Sequence, residues 1–181
     1  MNSNVYSLWE AGRDIVESTG MVRFEVAQRL INAHLAHVKD ASALLLVDPD
    51  HLKLSCHHLT HQLIDTEYLQ PLRVLLRELC GHHALIFGGN SAFAIHAPDA
   101  KRAVPLAHLI REQVETQLTG RAEDVRREAH PFYGPHTPVL TVCVGVAIAR
   151  PGSTLSDLIR MAEAAKDRAK MEGRNRVVVT E

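Results

Sequence analysis

Apolar residues recur at three- and four-residue steps through Phe24, Ala27, Leu30, Ile31, Leu35 and Val38, with Arg23, Glu25, Gln28, Arg29 and Asn32 between them. That period predicts an amphipathic helix whose apolar residues belong to the core. Ahead of it, Val5, Leu8, Trp9, Ile15 and Val16 fall near one helical face, interrupted by Gly12. Residues 1–16 are therefore expected to form a short N-terminal helix, packed on its own domain or serving to dock or dimerise, with a single globular domain over 17–181. The run Ala43 to Val47 is continuously apolar and ends in Asp48-Pro49-Asp50. A strand buried on both faces has that signature, and carboxylates at its C-terminal end are site-like.

Leu69, Leu72, Val74, Leu75, Leu76 and Leu79 predict a second helix, in which Pro71 must sit near the first turn or produce a kink, because proline offers no amide hydrogen. Asp65 depends on the outcome, since a helix starting near Gln70 leaves it in a loop. Ala84–Phe87 and Ala92–Ile95 flank Gly88-Gly89-Asn90-Ser91 and read as a hairpin, the glycines permitting positive φ in a tight turn. A helix is expected from about Asp99 or Pro105 to Leu118, followed by a long surface connection over 119–138, rich in Gly, Pro and charge. Val139 to Ala149 is the clearest strand. Ser153 or Thr154 can cap a helix running to Met171, Gly173 can end it in the left-handed conformation, and Arg176 to Val179 supplies a last strand. The succession of elements fits an α+β or α/β sandwich-like fold: a mostly antiparallel central sheet flanked by helices, related to the split βαβ or palm arrangement.

Composition narrows the function classes. The 181 residues carry a formal net charge of -1, which removes the electrostatic argument for nucleic acid or an anionic membrane as main partner. No apolar run approaches the ~18 residues a membrane span needs. Neither a leader pattern at Met1 nor a disulfide framework from Cys56, Cys80 and Cys143 is evident, so a reduced, cytoplasmic protein is expected. Twelve histidines raise the question of zinc, because His51, His57, His58, His61, His82 and His83 cluster near Cys56 and Cys80. Their spacing lacks two tight, answering ligand pairs, and solvated or hydrogen-bonded histidines are the expected reading.

The C-terminal segments Thr141-Val142-Cys143-Val144-Gly145-Val146-Ala147, Leu158 to Ala165, Ala169-Lys170 and Gly173-Arg174-Asn175-Arg176-Val177 closely resemble the second half of a GGDEF domain, the domain of diguanylate cyclases. Upstream, Asp48-Pro49-Asp50-His51-Leu52-Lys53 resembles that family's D-x-D-x-F-K, His61-Gln62-Leu63-Ile64-Asp65 its G-H-x-x-G-D, and Phe87-Gly88-Gly89-Asn90-Ser91-Ala92 its signature hairpin. The likeness runs in order over roughly residues 17–179.

The resemblance implies a site in which two facing domains each present one GTP, two metal ions carry the chemistry, and cyclic di-GMP is formed. Divalent magnesium needs charged oxygen ligands there. Asp48 would be one metal carboxylate, but the signature's acidic positions hold Asn90 and Ser91, followed by Ala92. Losing one preorganised electrostatic contact in such a site costs roughly 10²–10³ in rate, so two losses imply silence. The family's guanine-binding asparagine aligns with Cys56, whereas its aspartate is kept as Asp65. A product-inhibition R-x-x-D would fall on Leu79 and His82, so none is expected. Lys170 and Arg174 stand at the phosphate-clamping positions, with Lys53 also in register and Gly88 and Gly89 in the hairpin.

The implied function is a catalytically inactive regulatory or scaffold module, forming a homodimer or joining a protein partner, and binding a guanine nucleotide or cyclic di-GMP at a vestigial site. No cofactor is required by this reading, and magnesium would enter only with a nucleotide. Two other readings stay open: an active cyclase with a divergent metal site that draws on Asp48 and Asp50, and a structural interaction domain without nucleotide.

Overall fold

In chain order the elements are β1 (Ile15–Val16), β2 (Met21–Val22), α1 (Phe24–His37), β3 (Ala43–Pro49), α2 (His61–Ile64), a π-helical turn (Asp65–Leu69), α3 (Gln70–Cys80), β4 (Leu85–Gly88), β5 (Phe93–Ala97), α4 (Ala100–Ala129), β6 (Val142–Ile148), α5 (Leu155–Met171) and β7 (Val177–Thr180). The computed structural model describes residues 15–16, 21–37, 41–52, 61–81, 85–88, 92–129 and 140–180, the side chains at 15, 16, 61, 63, 67, 85 and 119–129 excepted.

The strands form one sheet in the order β1-β2-β4-β5-β3-β6-β7. β3 lies between β5 and β6 and is antiparallel to both, pairing Val47 with Phe93 and Val144. Its alternate residues divide the core. Ala43, Leu45 and Val47 face Leu72, Leu75 and Leu76 of α3 and Ala103, Ala107, Ile110 and Val114 of α4. Leu44 and Leu46 belong with Ala27 and Ile31 of α1 and Leu155, Leu158 and Ala162 of α5. Both faces of the strand are thus covered, as its unbroken apolar run requires.

The sheet is mixed, which corrects the expectation of a mostly antiparallel one: β6 runs parallel to β7, and β2 parallel to β4. The helical crossover α5 carries the chain back to the starting edge before β7 begins, and such a connection imposes parallel pairing.

Three other expectations change. Ile15 and Val16 are not the end of a helix but a strand paired with Val22 and Met21. Their β-branched side chains suit an extended edge; the rest of the expected N-terminal helix lies outside the described residues. Helix α4 runs on to Ala129, so 119–129 is helical rather than a loop. Its Ala, Glu and Arg content sustains a helix already started, and one interior glycine costs only about 1 kcal/mol; residues 130–139 lie outside the description. In α1 the buried residues are Ala27, Ile31 and His34, whereas Phe24 is 46% exposed. Phe24 sits at the first turn and reaches only the edge of the core, its ring 6.1 Å from that of Phe87.

The proline question has a definite answer. Pro71 occupies the first turn of α3, and the π-helical turn before it joins α2 to α3 without a break. Gln70 donates its N–H to the Asp65 carbonyl across that wider turn. A regular α-helix would bring the proline ring against a carbonyl four residues back, and the wider turn relieves that contact.

Candidate functional site

Asp48 closes the polar end of β3, one residue beyond the Val47–Phe93 pair. Gly88 of β4 pairs with the same Phe93, so the hairpin strands converge at the Asp48 end of the sheet. Gly88 has φ of 145°, and a Cβ there would lie 2.6 Å from the Ala92 carbonyl oxygen. That conformation and that contact reserve the position for glycine. Gly89, Asn90 and Ser91, which complete the hairpin, lie outside the described residues, as do Lys53 and Cys56.

Across the end of β3 lies α5. Its start is fixed by a capping box, in which Asp157 N–H donates to the Thr154 hydroxyl and Thr154 N–H donates to the Asp157 carboxylate. Those bonds hold the Asp157 carboxyl below its ordinary range. Its packing against the sheet is set by Gly145 of β6, where an added Cβ would land on the Ala162 carbonyl oxygen and 2.5 Å from the Lys166 nitrogen. With no side chain between them, strand and helix backbones touch, and the last turns of α5 reach Asp48.

Lys170 donates to Asp48 Oδ2 at 2.7 Å, and the Lys166 ammonium lies 4.0 Å from the same oxygen. Lys166 also pairs with Asp167 at 3.0 Å. The Asp48 and Lys166 side chains are only 18% and 16% exposed, so water screens this group weakly. Helix α5 then ends as expected: Gly173 has φ of 113°, and Arg174 N–H donates back to the Ala169 carbonyl in a Schellman arrangement. Arg174 and Asn175 also take positive φ, of 64° and 45°. Arg174 is exposed, in the turn that follows the end of α5.

A second carboxylate holds that strained turn. Asp50 is 3% exposed and accepts from the Thr141 hydroxyl at 2.8 Å, the Cys143 thiol at 3.0 Å and the Asn175 backbone N–H at 3.0 Å. Burial first, then the bond to Asp50, pushes the Cys143 thiol up to about 12. The Asn175 side-chain amide donates to Glu115 at 2.9 Å and accepts from Arg111 at 3.2 Å, tying the turn to α4. Asp50 is thus a buried anchor for residues 173–175, with its acceptor capacity largely occupied.

The structure therefore brings Asp48 and Lys170 into direct contact and ties the Arg174 backbone to the Ala169 carbonyl at the end of α5. Asp65 is elsewhere engaged: Arg73 donates to its Oδ1 at 2.9 Å, although the Asp65 side chain remains 54% exposed. Lys166 is the residue that sequence reasoning missed. In the sequence only its four-residue spacing to Lys170 pointed to it, since that spacing sets both ammonium groups on one face of α5.

The implied metal fits poorly. Among the described residues no group of three or more His, Cys, Asp or Glu side chains could hold a metal ion. Asp48 already has an ammonium at hydrogen-bond distance, and a divalent cation would have to displace it. Of the sulfur and histidine ligands weighed for zinc, Cys80 is buried, and that burial pushes its thiol up to about 12. Cys56, His57, His58, His82 and His83 lie outside the described residues. A separate cleft of about 450 Å³ between α3 and α4, lined by Thr66, Pro71, Val74, Leu75 and Leu118 among others, includes none of the candidate residues. No helix among the described residues is long and apolar enough to cross a membrane.

No family model matches the chain, and no curated protein matches it either. Solved structures do. The GGDEF domain of DgcB from Caulobacter crescentus, in complex with c-di-GMP, superposes with a TM-score of 0.72 at 19% identity, covering 92% of this chain and 95% of that one. The active GGEEF domain of a diguanylate cyclase from Vibrio cholerae gives a TM-score of 0.68 at 22% identity, over 87% of this chain and 96% of the other. The diguanylate cyclase SiaD from Pseudomonas aeruginosa, in complex with its activator SiaC, gives 0.73 at 22% identity, over 92% of this chain and 61% of that one. With the mixed sheet, the hairpin beside β3 and the crossover helix α5 all in place, the chain has the fold of the GGDEF domains of diguanylate cyclases.

Proposed function

We propose that the chain is a catalytically silent regulatory or scaffold module, acting through association with itself or another protein, whose pocket accepts a guanine nucleotide or cyclic di-GMP. The observation that carries this reading is the occupation of Asp48. The carboxylate at the metal-ligand position of the resemblance is neutralised by Lys170 at 2.7 Å, while the hairpin offers Asn90 and Ser91 in place of acids. An amide and a hydroxyl supply no anionic oxygen to replace the lost one. Binding and turnover separate here, because phosphate needs the cations of α5 whereas cyclisation needs metal over them.

The likeness to a domain solved with c-di-GMP and to a cyclase solved with a protein activator supports ligand and partner alike as classes. Incubation of the purified protein with GTP and magnesium or manganese, followed by chromatography for cyclic dinucleotide, tests the silence. No product is expected. Sustained turnover that Asp48→Ala abolishes would instead establish an active cyclase with a divergent site. Calorimetric titration with GTP, GDP and cyclic di-GMP, with Lys170→Ala/Arg174→Ala as control, tests the pocket. Absence of binding at high micromolar ligand would favour a purely structural module.

A further inference from the structure

We propose that Lys166 and Lys170 together do within the chain what a divalent cation would otherwise do, so that the pocket at the end of β3 binds nucleotide phosphates without metal and closes Asp48 to it. The phosphate half of this inference rests on the nucleotide reading above; the metal half does not.

The argument is one of charge and position. Lys166 and Lys170 lie one helical turn apart on α5, at 4.0 and 2.7 Å from the same oxygen of Asp48. The other carboxylates of the cluster are accounted for. Asp50 is buried and engaged by Thr141, Cys143 and Asn175, and Asp167 is 64% exposed and pairs with Lys166. The two ammonium groups balance Asp48 and Asp167, so the Asp48 carboxylate has no uncompensated charge left to offer. A divalent cation would arrive beside two positive groups at short range, where repulsion in a poorly hydrated site outweighs what a single carboxylate returns. A phosphate meets the reverse situation: it can take donors from Lys170 while Asp48 remains paired with Lys166, and exposed Arg174 adds a forked contact. Lys166 is thereby a specificity-determining residue. Replaced by an apolar side chain, it would leave Asp48 with one partner and weaken both the exclusion of metal and the hold on anions.

The test uses the whole chain in two arms. In the first, Mn2+ alone is titrated to about 1 mM, the weak end of oxygen-ligand cation sites, and free Mn2+ is read by electron paramagnetic resonance. Wild type and Asp48→Asn should bind the same amount; uptake by wild type that Asp48→Asn removes overturns the metal half, whatever nucleotide does. In the second, GTP is titrated in EDTA and again in excess Mg2+. Affinity should be at least as high in EDTA, because Mg2+ neutralises the phosphates that the lysines attract. Lys166→Leu should weaken binding in EDTA by about tenfold, because Asp48 then holds Lys170 and the phosphate loses that charge-assisted contact. Lys170→Gln should do the same, which guards against a folding defect in either variant. Binding that requires Mg2+ overturns the inference and leaves the nucleotide reading standing. Absence of binding in both conditions overturns the nucleotide reading and the phosphate half with it, while the Mn2+ arm still decides the metal half.

Discussion

At the scale of single residues, burial sets the pH response. His96 on β5 is fully buried, and burial first, then the neighbouring His34, holds its imidazole down at about 3. His34, from α1, meets it edge-on at 5.3 Å and is likewise lowered by burial. Burial favours the neutral form of both rings in the fold, while the unfolded chain binds protons near the ordinary histidine value of about 6.5. Between that pH and about 3 the unfolded state holds more protons, so stability falls as pH falls through this window and levels off below it. Urea midpoints measured from pH 7.5 to 4 should decline, and His96→Leu should flatten the decline. An equal slope in the variant would place the acid sensitivity elsewhere. Asp50 acts at the same scale. Asp50→Ala strands the Thr141, Cys143 and Asn175 donors and should cost roughly 1–3 kcal/mol, besides releasing the turn that carries Arg174.

At the scale of elements, two features place α5 over the end of β3. The capping box at Thr154 fixes where the helix starts, and Thr154→Ala should lower stability by about 1 kcal/mol in chemical denaturation. Gly145 fixes how closely the helix approaches. Gly145→Ala forces backbone against backbone and should cost roughly 3 kcal/mol, the upper end for overpacking, and weaken any phosphate contact made through Lys170. Unchanged stability would mean that α5 can move away from the sheet freely. Much at this scale was legible from local pattern. The β3 run, the hairpin around Gly88, the capped helix to Met171 and its glycine stop each carry signals within a few residues of themselves. Where local pattern failed, a distant partner or a balance of propensities decided. Ile15 and Val16 become strand because Met21 and Val22 lie beside them, and α4 continues beyond Leu118 because helix formers outweigh one glycine.

At the scale of the whole molecule, the site is assembled from segments more than a hundred residues apart, which explains what was hidden. Asp48, Lys170 and Arg174 could be named because each stands in a run that resembles a known domain. Lys166 stands at no position singled out by that likeness; its spacing puts it on one helix face with Lys170, but only the register of α5 on β6 brings it to Asp48. The network of Asp50, Asn175, Glu115 and Arg111 joins β3, α4 and the turn after α5, and no spacing in the sequence announces it. At this scale the proposed function would follow from charge, since Lys166 and Lys170 both face Asp48.

That claim is met most directly by diffraction at the manganese edge from crystals grown with GTP and Mn2+. The account predicts nucleotide phosphates seated on Lys170 and Arg174, the Lys166 ammonium beside Asp48, and no anomalous peak at the Asp48 carboxylate. A manganese ion bridging Asp48 and the phosphates, with the lysines swung away, would contradict it.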